Sequence, residues 1–560
     1  MDLTVARIQA AHRALRNYLL AHSAMAAGFA FMLVAIALIL LRPVLPIDET
    51  RYLSIAWEMK NGGSVLVPHL NGEIYGHKPP LLFWLINLVW SFFGTGAFGA
   101  RLIGPAFAAL SIWLTARLSR KLWPEQSGDG ALASWILASS VVFLLFGSLV
   151  MFDTMLVAAT LLCLLGIIRA RRQPGWGNWL GVGAAIALGI MAKGPVIFFH
   201  VMPAALLMPF WADRHDRPPL RAWYGGFTAA VLVAIAIIGV WLVPALIVGG
   251  ADYRYEVLWH QYDGRIHEAF AHRQPAWFFI ALLPVIAWPW GWSKRALNTF
   301  RPAELRRDEG TRFCATWFVA AFILFSAVGS KQLHYLLPEI PALALLIARA
   351  LRGDTERQTE VFSKRPVLAL AAPVLLLAIV VVANTNLVTP YLEAKGLSIP
   401  WASVLGGVFI LLSLIMAILF SRQRVATWVL TAPASLLMAH VILSPVLFRA
   451  YDASELGLRL AQYEEQGIAL VQDAYRGEFT YVGRLHTTVT NLADGDAVHD
   501  WAQKHPGGVV LSRHPVEDNS LVSLGEFKLR GRTYTLLQVA GTRQRSEPGT
   551  SSGQLEGNRP

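Results

Sequence analysis

The chain has 560 residues, 55% hydrophobic and only 15% charged, with 20 tryptophans and a mean hydropathy of +0.47. That balance excludes a water-soluble globule and implies a polytopic membrane protein. The formal net charge of +12 does not make nucleic acid a partner, because the basic residues sit in short clusters between apolar runs, where membrane insertion places them.

A leader, 1–22, carries Arg7, Arg13 and Arg16 and precedes an apolar run without a small-residue cleavage site, which predicts an uncleaved first span. Runs of spanning length lie near 23–43, 98–118, 131–148, 153–168, 178–193, 195–211, 223–248, 276–292, 313–329, 336–351, 367–388, 401–420 and 425–448, about thirteen spans. Basic residues gather in alternate connectors: Arg117, Arg120 and Lys121; Arg169, Arg171 and Arg172; Arg214, Arg217 and Arg221; later Lys294 to Arg307, Arg352 to Arg365, and Arg422 with Arg424. By the positive-inside rule the leader is cytoplasmic and the carboxy terminus lies outside.

The segment 44–97 is then the first outer loop. "DETRYLSIAWEMKNGG" spaces Tyr52, Ile55, Ala56 and Met59 as a helix, predicting an amphipathic helix along the membrane surface. "KPPLLFWLINLVWSFFG" is apolar enough to span, but a span there would invert every later connector against its charges, so a second surface or re-entrant helix is predicted. Cys163 and Cys314 fall inside apolar runs and read as packing residues. Strand-like runs follow, with a helix around 496–504, predicting a small outer α/β domain at 450–541; the polar tail 542–560 reads as disordered. The fold class expected is an all-α polytopic membrane domain, 23–449, with a small C-terminal α/β domain.

Five polar groups break the outer side's poverty in charge: "DETRY" at 48–52, "YGHKPP" at 75–80, "FDT" at 152–154, "WHQYDGRIHEAFAHRQPAWFF" at 259–279 and "GSKQLHYLLPEIP" at 329–341. Ionisable groups near a bilayer are costly and mark function by default. Arg51, Lys78, Arg265 and Lys331 suit an anion at the lipid interface, such as a phosphate, and Asp48 and Asp153 suit a hydroxyl or a cationic group. Singly, each has a structural reading: Asp48 caps its helix or pairs i,i+3 with Arg51, Asp153 caps a span, Lys78 snorkels, and Lys193 in "MAKGP" anchors a span end. His77 and His260 are the candidates for a shared divalent metal ion.

"PIDETRYLSIAWEMKNGGSVLVPHLNGEIYGHKPPLLFWL" resembles the first outer loop of bacterial glycosyltransferases of the aminoarabinose transferase and protein mannosyltransferase kind, which have the GT-C membrane fold. "HRQPAWFFIALLPVIAWPW" and "SKQLHYLLPEIPALALL" resemble later stretches of the same family. The resemblance implies transfer of a sugar from a polyprenyl phosphate carrier, with lipid A, lipopolysaccharide core or a protein as acceptor, by a monomer in the inner membrane among its lipids. It implies that Asp48 is the catalytic carboxylate, that Asp153 faces the same cavity, and that Arg51, Lys78, Arg265 and Tyr335 surround the carrier phosphate. Two departures bear on the metal: His77 stands where many relatives have a glutamate before the lysine, and Gln261 stands where the later loop has an acid. A flippase or transporter without chemistry is the rival from another class; it predicts ionisable groups near the bilayer midplane.

Overall fold

The computed structural model describes residues 23–126, 128–260, 273–292, 296, 301–352, 425–443 and 448–540. The expected leader, the spans at 367–388 and 401–420, and the tail lie outside the described residues. Six described helices are long and apolar enough to cross a bilayer: Ser23–Leu40, Ala97–Leu122, Asp153–Arg172, Leu220–Val248, Glu309–Ala327 and Leu333–Leu351. A seventh crossing can be made by Gly128–Ala138 with Val141–Gly147, bent by 63°. The straight span expected at 131–148 breaks because the Ser139 hydroxyl donates to the Trp135 carbonyl and Ser140 is extended. Two other expected spans, 195–211 and 276–292, are built of shorter helices with prolines inside, Ile197–Leu206 with Pro203 and Phe278–Ile286 with Pro284.

Asp153–Arg172 is the central post. Twenty residues rise about 30 Å, one hydrocarbon thickness. Asp153 in its first turn and Arg169, Arg171 and Arg172 in its last complement the helix dipole and set its orientation. It packs against Ile103–Leu122 and Trp176–Lys193, and the latter packs on Leu220–Val248. A Cβ on Gly183 would fall 2.6 Å from the Ala230 carbonyl oxygen, so those two helices meet at backbone distance. Leu220–Val248 turns Leu232, Val240 and Ile247 outward, the surface a lipid environment solvates.

After the first span, Asp48–Lys60 is followed by a two-stranded hairpin, β1 (His69–Leu70) and β2 (Glu73–Ile74). Asn71 and Gly72 turn it at φ +57 and +77, the left-handed pair that an Asn-Gly turn supplies. Leu81–Phe93 is about 20 Å long, too short to cross.

The surface placement expected for Asp48–Lys60 is corrected by the structure. Tyr52 to Trp57 are all buried, because a second cover lies over the helix: the C-terminal domain. That domain carries a five-stranded sheet in the order β4-β3-β5-β7-β6, with β3 (Ile468–Val471), β4 (Thr490–Leu492) and β5 (Val509–Ser512) parallel, and β6 (Leu521–Leu529) and β7 (Arg532–Val539) antiparallel. Alternate residues of β3 and β5 feed opposite cores: Ile468, Leu470, Val509 and Leu511 on one face, Ala469, Val471 and Val510 on the other. The helix expected near 496–504 is Gly495–Lys504, capped by Asp494, which accepts from the Ala497 amide.

Candidate functional site

The two adjacent acids of "DETRY" diverge. Glu49 is 2% exposed and accepts from the amides of Leu45 and Val150, both at 3.0 Å. It lies between two buried guanidiniums, Arg42 at 3.7 Å and Arg101 at 3.5 Å. Arg101 also donates to the carbonyls of Ile39, Arg42 and Pro43, and Arg42 to the Ser148 hydroxyl. This triad fixes the start of the Asp48–Lys60 helix to the adjoining ends of two spans. Sequence reading gave Glu49 no role; its signal was an acid beside Arg42, a basic residue directly after an apolar run.

Asp48 points the other way, with its side chain 53% exposed, 3.8 Å from Arg51, and accepting from the Tyr52 hydroxyl at 3.4 Å. The cap position belongs to Ile47, so Asp48 pairs rather than caps. Burial, with Asp48 adding to it, pushes the Tyr52 phenol well above its ordinary value. Burial likewise pushes Tyr75 up to about 12, against the opposing effect of Arg51, with which it shares a hydrogen bond. Both phenols therefore remain donors at neutral pH.

The floor beneath is aromatic: Tyr52 and Phe83 each meet Phe152 edge-on, at 4.8 and 5.8 Å between centroids. The Lys78 ammonium stands 5.9 Å from the Phe152 ring centre. The next residue, Asp153, is 1% exposed and bonded at 2.6 Å to Lys193, whose ammonium lies 5.1 Å from the Tyr335 ring centre. Asp153 also lies within electrostatic range of His334 and Lys78, and His334 within range of Asp48. Asp48, Arg51, Lys78, Asp153 and Tyr335 thus share one end of the bundle with Lys193 and His334. Lys193, read from sequence as a span anchor, is the counter-ion of Asp153. Neither "MAKGP" nor "QLHYLL" announces that pairing, since the partners are 40 residues or more apart and a lysine at a span end is ordinary.

Lys331 is buried and donates to the Gln274 carbonyl at 2.9 Å, tying its loop to 273–274. Arg265 and Gln261 lie outside the described residues. His77 sits 3.9 Å from Glu256, a carboxylate that sequence reading did not single out. A Cβ on Gly76 would come within 2.3 Å of the Glu256 Cγ, so glycine is what admits that approach. His260 ends the turn Glu256–His260. Among the described residues no three His, Cys, Asp or Glu side chains form a set that could hold a metal.

The C-terminal domain grips the helix that carries Asp48 and Arg51. The Ser54 hydroxyl donates to the Gly477 carbonyl at 2.9 Å and accepts from the Tyr481 amide, and the Trp57 indole donates to the Leu485 carbonyl at 2.8 Å. Asn71 pairs with both backbone groups of Val489. Gly477 has φ +80, and a Cβ there would meet Leu70 Cδ1 at 2.7 Å and Arg51 Cα at 3.5 Å. Gly477→Ala is therefore expected to cost about 1–2 kcal/mol of docking stability. The measurement is hydrogen exchange across residues 50–60, which should speed up while strands β3 and β5 stay protected.

Residues 77–243 match the family described as dolichyl-phosphate-mannose-protein mannosyltransferase. Among curated proteins, the undecaprenyl phosphate-alpha-4-amino-4-deoxy-L-arabinose arabinosyl transferase of Pseudomonas aeruginosa (strain LESB58) is 30% identical over 316 residues, covering 54% of this chain and 55% of its own. Its namesake in Pectobacterium atrosepticum is 30% identical over 330 residues, 55% of each. The chain thus spans little more than half the length of the curated relatives it matches. In structure, it superposes on ArnT from Cupriavidus metallidurans with a TM-score of 0.71 for the apo crystal structure and 0.69 for that bound to undecaprenyl phosphate. Those likenesses cover 91% and 92% of this chain and 96% and 97% of the other, at 19% and 18% identity. Residues 77–243 are thus similar to the family described as dolichyl-phosphate-mannose-protein mannosyltransferase, and the fold of this multi-pass membrane chain is like that of ArnT.

Proposed function

We propose that the chain is a glycosyltransferase that moves a sugar from an undecaprenyl phosphate carrier to lipid A or lipopolysaccharide core at the outer face of the bacterial inner membrane. In this reading the membrane domain is a GT-C unit of about thirteen spans over 23–449, and the domain at 450–541 is periplasmic. The observation that carries the reading is the meeting of Asp48, Arg51, Lys78, Asp153, Lys193 and Tyr335 at one end of the bundle, over an aromatic floor, in an ArnT-like fold.

The chemistry follows from that inventory. The bond between the sugar's anomeric carbon and the carrier phosphate breaks, the acceptor oxygen bonds to that carbon, and the carrier phosphate leaves with one more negative charge. Lys78 and Arg51, with Arg265 and Tyr335 completing the cradle, stabilise that charge where water is scarce. Asp48, the exposed carboxylate of the set, takes the proton of an acceptor hydroxyl; facing an acceptor phosphate, which is already ionised, it orients the donor sugar instead. Asp153 is too enclosed to reach an acceptor and holds Lys193 in place. His77 and Glu256 are the pair a divalent ion would meet beside Lys78.

The test is reconstitution of the purified chain with an undecaprenyl phosphate sugar and lipid A. Mass spectrometry should find sugar-modified lipid A and free carrier phosphate. Carrier that changes leaflet with its sugar still attached overturns the reading in favour of a flippase. Protein O-mannosyl transfer is the second reading, favoured by the family description of residues 77–243; modification of a hydroxyl-bearing peptide with no product on lipid A would select it.

A further inference from the structure

The membrane domain buries a further pair of titratable side chains that the proposed chemistry does not use. His200 is 1% exposed and Glu339 0%, and His200 Nδ1 lies 2.6 Å from Glu339 Oε1. The remaining polar atoms of the pair, His200 Nε2 and Glu339 Oε2, are buried with no hydrogen-bond partner among the described residues. Net stability is a weak reason for such a pair, since apolar side chains of similar size commonly fill the same space at no loss. Its place in the chain supplies another.

The pair joins the two segments that carry Lys193 and Tyr335. Gly194, at φ +79, ends the Trp176–Lys193 helix, and the chain re-enters helix as Ile197–Leu206, which carries His200. Tyr335 and Glu339 share the turn Leu333–Glu339. Two rungs therefore cross between the same stretches. One is the Lys193 ammonium, 5.1 Å from the Tyr335 ring centre at the cavity; the other is His200 on Glu339. Phe325, 3% exposed, packs against both, its ring centre 5.0 Å from that of His200 and 6.2 Å from that of Tyr335. A cation over a ring leaves the ring free to slide and tilt, whereas a short hydrogen bond sets distance and direction. Side chains that act on a substrate need that kind of support from packing and hydrogen bonds behind them.

We propose that His200 and Glu339 are positioning residues for the transfer: their bond sets Leu333–Glu339 against Ile197–Leu206 and, through Phe325, holds the Tyr335 hydroxyl at the carrier phosphate. The inference rests on the transferase reading, in which Tyr335 completes the phosphate cradle.

The experiment uses the full chain in nanodiscs with an undecaprenyl phosphate sugar and lipid A. His200→Leu combined with Glu339→Met should keep the melting temperature while lowering kcat about 10- to 100-fold at an unchanged donor KM. His200→Asn, whose amide nitrogen stands in for Nδ1, should retain most of the rate. In a Tyr335→Phe background the apolar pair should add little further loss, because the hydroxyl it misplaces is already gone. A second readout needs no turnover: with Tyr335 replaced by 3-fluorotyrosine, a single fluorine resonance should shift or split in the apolar variant. Wild-type kcat in that variant, an equal loss in the native and Tyr335→Phe backgrounds, a rate loss that only follows a fall in melting temperature, or an unmoved fluorine resonance would each overturn the proposal. A wild type that transfers no sugar counts against the transferase reading instead, and the fluorine resonance then decides the positioning by itself.

Discussion

Asp48→Asn is expected to lower transfer from the undecaprenyl phosphate donor by about 100- to 10,000-fold, the span over which a positioned acid or base contributes. Its fold should survive, because the Asp48 side chain is half open and its contacts, Arg51 at 3.8 Å and the Tyr52 hydroxyl at 3.4 Å, are long. Lys78→Ala should fall in the same range by removing an ammonium from above the aromatic floor. Lys78→Arg restores charge but not the compact head, so a continued loss there would show that shape matters as well. The measurement is turnover in membranes at matched expression. Wild-type rates in both Asp48→Asn and Lys78→Ala would sink the assignment of this cavity as the place of chemistry.

The neighbouring residue should behave in the opposite way. Glu49→Gln is expected to cost about 3–5 kcal/mol of stability, because two buried guanidiniums lose the anion between them. The margin is thin already: the Nε atoms of Arg42 and Arg101 are buried without a hydrogen-bond partner. Thermal unfolding in detergent measures this, and an unchanged melting curve for Glu49→Gln would show that the triad is not what holds the helix start. The pair of variants separates an acid facing the cavity from an acid facing the protein, one residue apart.

How legible this was depends on which physical signal a residue leaves in the chain. The spans near 23–43, 98–118, 153–168, 223–248, 313–329 and 336–351 were readable because a bilayer demands a length and a composition, and both are local properties. The helix at Gly495–Lys504 is local too. The Asp48–Lys60 helix was readable as a helix but not in its setting. Ser54 and Glu58 look like a solvated stripe, yet Ser54 meets the outer domain and Glu58 accepts from the amides of Asn71 and Gly72 in the hairpin turn. In the cavity, the outer-face excess of charge singled out Asp48, Arg51, Lys78 and Asp153. It read Lys193 as a span anchor and passed over Glu256, because an ion pair such as Asp153–Lys193 is written into the chain only as two unremarkable residues on separate helices.

The hydrogen bonds that the C-terminal domain makes to the Asp48–Lys60 helix and its hairpin run through the domain's main-chain atoms, the carbonyls of Gly477 and Leu485, the amide of Tyr481, and both backbone groups of Val489, while the Tyr481, Arg484 and His486 side chains pack on Trp57. The hydrogen-bonded part of such a joint is sensitive to count. One residue added or removed between Gly477 and Val489 would present the partners beyond it one position out of step. The joint therefore behaves like a ruler, its length held by main-chain spacing while Tyr481, Arg484 and His486 seat it on Trp57.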